Sequence, residues 1–282
     1  MRVFKQKEAF ISQLSAEKNN HKTIGLVPTM GALHQGHISL VSRALEDNDL
    51  VVVSIFINPT QFDNPKDLEK YPKSLEKDIS LLEELNGQII VFAPSAEEIY
   101  QKDITSEKFD FDGLEFQMEG KFRPGHFDGV GTIIKKLFSI VMPDRAYFGE
   151  KDFQQLQIIK KLTEKEQLPV EIIECPITRE ASGLAMSSRN ERLPAGLRKK
   201  AAFIYQTISQ AKEKFSTQSI SETLVWIEAQ FKNHEDFDLE YAEIADQKTL
   251  KSVKTKKIGE HYRLFVAVYA NEIRLIDTIA LN

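Results

Sequence analysis

The feature that most restricts how this chain folds is an alternation in its first half. Short runs of aliphatic and β-branched residues give way to stretches with apolar residues at helical spacing. Residues 23–28, 50–58 and 88–93 are rich in Val and Ile, near-continuous apolar runs of the kind found in a parallel sheet covered on both faces. Between them, 37–47 and 74–85 read as helices. Strand, crossover helix and parallel strand join right-handedly, so the alternation predicts a doubly wound α/β domain. Farther along, Val130, Ile133, Ile134, Leu137, Phe138 and Val141 recur at helical spacing until Pro143 and Asp144 stop the helix before a strand at 145–148. Residues 152–166 give another helix, closed by Leu168-Pro169, and 170–175 a further strand, for a sheet of at least five.

Past Arg192 the pattern changes. Pro194 opens a long helix with Leu197, Ala201, Ile204, Ile208, Ala211 and Phe215 on one face, and Ile220, Leu224, Ile227 and Phe231 mark a second. Core packing accounts for both stripes and for Trp226. Three strands follow at 237–244, 263–270 and 272–279, the last two joined by a tight hairpin connection at Ala270-Asn271-Glu272. A small α+β domain from about residue 180 onwards is the expectation.

Composition excludes several classes. The 282 residues, 41% hydrophobic and 28% charged, suffice for a substantial core, and no apolar stretch is long enough to span a bilayer. The N-terminal MRVFKQKEAF lacks the apolar run of a secretory signal, so a cytoplasmic location without a membrane partner is expected. Cys175 is the only cysteine, which rules out a disulfide framework or a cysteine-based zinc site within one chain and points to a buried small hydrophobe. A formal charge of −5 argues against an extended nucleic-acid surface.

The strongest local motif is Val27-Pro28-Thr29-Met30-Gly31-Ala32-Leu33-His34-Gln35-Gly36-His37, where the first predicted strand passes into the first helix. Ligands of open parallel sheets bind at such places. Glycines admit a phosphate chain close to the backbone, helix N-terminal amides attract anions, and two imidazoles three residues apart can reach phosphoryl oxygens from one side. A lone His-x-Gly-His also fits a turn shaped by Gly31 and Gly36 with incidental histidines, or a metal site short of ligands. Position after a strand favours the nucleotide reading. A second motif, Met186-Ser187-Ser188-Arg189 preceded by Gly183, offers hydroxyls, amides and a guanidinium to the phosphates of a leaving pyrophosphate; by itself Ser-Ser-Arg also fits solvated surface.

The two motifs in this order resemble the His-x-Gly-His and signature-loop pair of the nucleotidylyltransferase superfamily. Four further segments, Val53-Ser54-Ile55-Phe56-Ile57-Asn58-Pro59-Thr60-Gln61-Phe62, Tyr71-Pro72, Arg123-Pro124-Gly125-His126-Phe127 and Phe148-Gly149-Glu150-Lys151-Asp152-Phe153-Gln154-Gln155-Leu156, narrow the resemblance to the pantothenate synthetase (pantoate–β-alanine ligase) family. The C-terminal third adds Arg274-Leu275-Ile276-Asp277, similar to the family's ending. Asp128 and Ser182 depart from the family pattern, which expects a basic and an acidic residue there.

The resemblance implies a Rossmann-like ATP- and pantoate-binding domain over 1–178 and a smaller α+β lid domain over 179–282. It also implies a two-step reaction in which pantoate and ATP form pantoyl adenylate, and β-alanine then displaces AMP. His34, His37, Lys151 and Arg189 are the implied catalytic residues, with His37 matching the family's proton donor. Met30, Gly31, Ala32, Leu33, Gln35 and Gly36, together with Gly149, Glu150, Asp152, Thr178, Met186, Ser187 and Ser188, would hold ATP. Gln61 and Gln155 would bind pantoate, Gln61 also β-alanine, and Asn58 and Tyr71 would neighbour that pocket. Mg²⁺ would ride on the phosphates without a protein cage, and the family implies a homodimer. Arg123 is open between phosphate and an acidic neighbour, and Arg-Pro-Gly-His between a ligand site and a turn feeding the next helix. His21, His234 and His261 are expected at the surface.

Overall fold

A computed structural model describes residues 1–62, 68–69, 71–232 and 234–282. Two compact units make up the chain. The first comprises Met1–Glu115, Glu119–Glu150 and Gln155–Pro176, and the second Phe116–Met118, Lys151–Gln154 and Ile177–Asn282. The second unit thus includes two short excursions that a single cut near residue 178 leaves out.

The first unit runs β1 (Arg2–Phe4), α1 (Lys7–Asn19), β2 (Ile24–Thr29), α2 (Gln35–Asp47), β3 (Leu50–Ile55), α3 (Leu75–Glu83), β4 (Ile89–Phe92) and α4 (Ala96–Tyr100). The chain continues through α5 (Met118–Phe122), α6 (His126–Val141), β5 (Arg145–Gly149), α7 (Phe153–Lys165) and β6 (Glu171–Cys175). The strands form a parallel sheet in the order β1-β4-β3-β2-β5-β6. A sixth strand, β1, joins the five expected: three largely exposed residues at the edge, too short to carry a periodic signal. Val51, Val52 and Val53 are all fully buried, consistent with a strand covered on both faces. On one face α2 and α3 supply Val41, Ala44 and Leu82 against Val27, Val51, Val53 and Val91.

From β2 the chain crosses towards β3, and from β5 it crosses the other way, towards β6. The carboxyl ends of β2 and β5 therefore flank the point where the winding reverses, the place where an open sheet leaves a crevice for ligands. Met30–His34 follow β2, and Gly149 ends β5, with Glu150 next in the chain.

Cys175 closes β6, buried as expected, and its burial is the main cause pushing the thiol up to about 11. A folded pKa raised above an unfolded value of about 8.5 means that this thiol's contribution to stability is full below that value and disappears as pH rises through about 11. At roughly pH 8 iodoacetamide should leave the native chain unmodified and label it only in denaturant. Intact-mass measurement checks this.

In the second unit α8 (Ala195–Lys200), α9 (Ala202–Thr217) and α10 (Ile220–Lys232) precede an antiparallel sheet of β7 (Asp238–Asp246), β8 (Tyr262–Ala270) and β9 (Ile273–Ala280). The single long helix expected from Pro194 is two, because Ala201, at φ −63° and ψ −11°, ends one helical ladder and begins the next. Its apolar stripe is unbroken, with Leu197, Ala201, Ile204, Ile208, Ala211 and Phe215 all in the core. The β8–β9 hairpin turns at Asn271, whose φ is 55°, with Ala270 paired to Ile273. His234 keeps its side chain 24% exposed, while its ring packs against Phe203 and Phe237 at separations of 4.4 and 4.7 Å. Among the described residues no helix is long and apolar enough to cross a membrane.

Candidate active site

After β2 the backbone turns through two residues of positive φ, Gly31 at 82° and Ala32 at 50°. That conformation is unfavourable for alanine and must be held from outside. Asp78 on α3 holds it: one carboxylate oxygen accepts the Ala32 amide at 3.0 Å, the other the Leu33 amide at 2.8 Å and the Ser74 hydroxyl at 3.2 Å. Asp78 is 1% exposed, and these bonds satisfy a carboxylate that burial alone would disfavour. Sequence reading missed it, although Leu75, Asp78 and Leu82 show an acid standing in the apolar stripe of a helix.

His34 is then the N-cap of α2. Its Nδ1 accepts the Gly36 amide at 3.1 Å, while His37 Nδ1 accepts the His34 amide at 3.3 Å. The two histidines thus form a capping box, a reciprocal arrangement usually built from Ser or Thr and Glu or Gln. Their ring centroids are 4.1 Å apart. With both Nδ1 atoms accepting, the neutral rings carry their protons at Nε2 and donate there, as a pair of hydrogen-bond donors beside the amides of a helix start.

Gln61 ends a 3₁₀ turn, Pro59–Gln61, that follows β3. Asn58 governs it. The buried Asn58 amide donates to Gln61 Oε1 at 3.0 Å and to the Gly129 carbonyl at 3.1 Å, while its oxygen accepts from Tyr100 at 2.6 Å and Thr60 Oγ1 at 3.0 Å. Burial is the leading cause holding the Tyr100 phenol above its usual range, so it remains a neutral donor. Since Gln61 Oε1 is engaged, its Nε2 is the end that reaches Met30 Sδ, at 3.2 Å, which joins this turn to the first motif. Gly129 lets α6 come close: a Cβ there would stand 2.3 Å from the Thr60 carbonyl oxygen. Asn58 is therefore a neighbour of Gln61, and Tyr71 stacks edge-on against Phe62 at 5.7 Å.

Arg123 and His126 stand at the turn into α6. Gly125, at φ 79°, leads into α6, and Arg123 Nη1 lies 3.9 Å from the Glu119 carboxylate and 3.2 Å from His126 Nε2. His126 Nδ1 donates to the Gln61 carbonyl at 2.8 Å, so this buried imidazole supports the Gln61 backbone. Asp128, one of the two departures, accepts from Lys108 at 2.7 Å and the Phe109 amide at 3.1 Å, tying the preceding segment to the first turn of α6.

The predicted set is divided between the units. Met30–His37 and Gln61 are drawn together in the first, which also carries Gly149, Glu150 and, half-buried on α7, Gln155. Lys151, Asp152, Thr178 and Met186–Arg189 belong to the second. There Lys151 Nζ lies 3.7 Å from the Asp152 carboxylate with its side chain 16% exposed. Buried Gln154 is anchored to the Gln117 carbonyl at 2.8 Å. Ser187 caps a 3₁₀ turn, Ser188–Arg192, by accepting the Arg189 amide at 3.3 Å. Ser182, the other departure, is exposed, and its hydroxyl accepts the Leu184 amide at 3.4 Å. Among the described residues no group of three or more His, Cys, Asp or Glu side chains is placed to hold a metal ion.

Residues 2–280 match the family described as pantoate-beta-alanine ligase. The chain is 60% identical over 282 residues to a pantothenate synthetase of Christiangramia forsetii, covering all of both chains. It is 47% identical over 268 residues to that of Bacteroides thetaiotaomicron, covering 95% of this chain and 94% of the relative. A crystal structure of pantothenate synthetase from Thermus thermophilus superposes with a TM-score of 0.91 at 37% identity, over 100% and 99% of the two chains. The pantoate-beta-alanine ligase of Francisella tularensis, solved with a β,γ-ATP compound and β-alanine, gives 0.82 at 36%, over 100% and 98%.

Proposed function

The chain belongs to the pantoate–β-alanine ligase family and joins pantoate to β-alanine using ATP, and we propose that it does so through a pantoyl adenylate. In the first step a pantoate carboxylate oxygen bonds to the α-phosphorus as the bond to the β-phosphate oxygen breaks and pyrophosphate leaves. The carboxylate is already ionised at neutral pH, so the step needs alignment and stabilisation of the departing charge, not a base. The Nε2–H groups of His34 and His37, the Lys151 ammonium and the Arg189 guanidinium supply that stabilisation, with the Met30–Gly36 turn and the Met186–Ser188 segment lining the phosphates. Mg²⁺ enters as part of the nucleotide substrate. In the second step the β-alanine nitrogen bonds to the acyl carbon, the bond to AMP breaks, and the amine proton passes to solvent or to the phosphate.

The observation that carries the choice of acid is the locked amide of Gln61, a neutral donor turned towards the first motif. It suits a substrate displaying hydroxyls and a carboxylate, where a phosphorylated acceptor would ask for Lys or Arg. Gln155 is assigned to the same substrate, Gln61 also to β-alanine, and Gly149, Glu150, Asp152 and Thr178 to the nucleoside. Homodimerisation and a cytoplasmic setting belong to this reading on family resemblance. Exchange of labelled pyrophosphate into ATP tests it. Exchange should require pantoate and proceed without β-alanine; exchange with another acceptor but not with pantoate overturns the assignment.

A further inference from the structure

The segment leading into Met186–Arg189 is a short hairpin. Arg179 bridges Ala185 antiparallel, the Met186 amide donates to the Thr178 carbonyl at 3.0 Å, and the Gly183 amide closes the turn on the Glu180 carbonyl at 2.8 Å. Adjacent Arg179 and Glu180 on its first strand are tied to different partners. Arg179 donates through both terminal nitrogens to Asp277 at 2.6 and 2.9 Å and to the Gly183 carbonyl at 3.1 Å, with its guanidinium 3.8 Å from the centre of the Tyr205 ring. Asp277 lies on β9, 3% exposed, and its Oδ1 also accepts the Thr278 amide at 2.8 Å. On the other side Asn190 Nδ2 donates to Glu180 at 2.9 Å and to the Ala185 carbonyl at 3.0 Å, and Arg198 donates to the same Glu180 carboxylate at 2.9 Å. Gly183 cannot be exchanged for a larger residue: at φ 95° a Cβ would sit 2.7 Å from Tyr205 Cδ1.

A buried ion pair is a poor device for stability, since desolvation offsets much of its attraction, but a bidentate one sets direction and register. Here it sets those of the strand that pairs with Ala185 and Met186, the residues that feed the Ser-Ser-Arg turn. We propose that Arg179 and Asp277 are positioning residues for the adenylate-forming step. Their fork-to-carboxylate pair, stacked on Tyr205, holds the hairpin so that the Ser187 and Ser188 hydroxyls and the Arg189 guanidinium present one fixed arrangement to the departing pyrophosphate. This explains the acid of Arg274-Leu275-Ile276-Asp277, a motif far along the chain from every assigned site residue. It rests on the reading that Met186–Arg189 engages the phosphates.

The experiment compares Asp277→Asn, Arg179→Lys and Arg189→Ala in two assays: pantoate-dependent pyrophosphate exchange, and aminolysis by β-alanine of pantoyl adenylate supplied ready-made, for which pyrophosphate has no part. Asp277→Asn should lower exchange by roughly 10–100-fold and raise the KM for ATP, with the KM for pantoate and the aminolysis rate within about threefold of the parent. Arg179→Lys keeps the charge but not the fork and should show the same split in milder form, which keeps the test available if the asparagine variant folds poorly. Equal losses in both assays, or a lowered melting temperature with unchanged exchange, overturn the positioning role. Loss in Arg189→Ala without loss in the other two rejects this proposal alone. Unchanged exchange in Arg189→Ala rejects the phosphate reading beneath it.

Discussion

Replacing His37 with glutamine is expected to lower pantoate-dependent pyrophosphate exchange by roughly 10²–10³-fold, the usual effect of losing a donor aimed at developing charge, while barely moving the melting temperature. The separation is possible because His37 has two duties. Its Nδ1 accepts the His34 amide as the N3 member of the capping box, a duty that glutamine performs in ordinary helices. Its Nε2–H is the donor assigned to the phosphates, and glutamine, with its oxygen engaged in the cap, does not reproduce it. Alanine removes both, and should add a loss of about 1 kcal/mol of stability, or roughly 2–4 °C in a chain of this size. Exchange assays and thermal melts on the two variants make the comparison. Exchange in the glutamine variant within threefold of the parent would remove His37 from the chemistry.

Asp78→Asn should produce the largest loss of stability from one near-isosteric change. The carboxylate accepts two backbone amides and a hydroxyl, whereas an asparagine must turn an NH₂ towards at least one of those donors. A buried amide left without an acceptor costs about 1–3 kcal/mol, and facing it with another donor adds to this, so a decrease of about 2–4 kcal/mol is expected in denaturant unfolding. Activity should fall too, by at least about tenfold, because the Gly31-Ala32 turn leads directly to His34, and small displacements of a catalytic group are costly. Unchanged stability and exchange together would show that Asp78 does not hold the turn.

Much of the first unit was legible because parallel strands covered on both faces announce themselves as apolar runs. β3, with three adjacent fully buried valines, is the clearest case. β1 was not, since three edge residues with exposed side chains owe their conformation to pairing with β4 and not to their own pattern. The break at Ala201 escaped notice for a related reason: periodicity reports which face is buried, and that face runs through both helices. His234, isolated from every motif, gave no hint that Phe203 and Phe237 would pack against it.

Sequence alone carried what depends on near neighbours: the strand-to-helix passage, the paired histidines three residues apart, and the motif set that marks the family. Tertiary structure alone decided which groups hold those residues in place. Asp78 reaches Ala32 across 46 positions, Asn58 reaches Gly129 across 71, and Arg179 reaches Asp277 across 98. The physical reason is that a buried polar group must find a partner, yet nothing in its own sequence neighbourhood says where the partner lies. Only packing brings the two together, and in doing so it makes Asp78, Asn58 and Asp277 the supports of the proposed site.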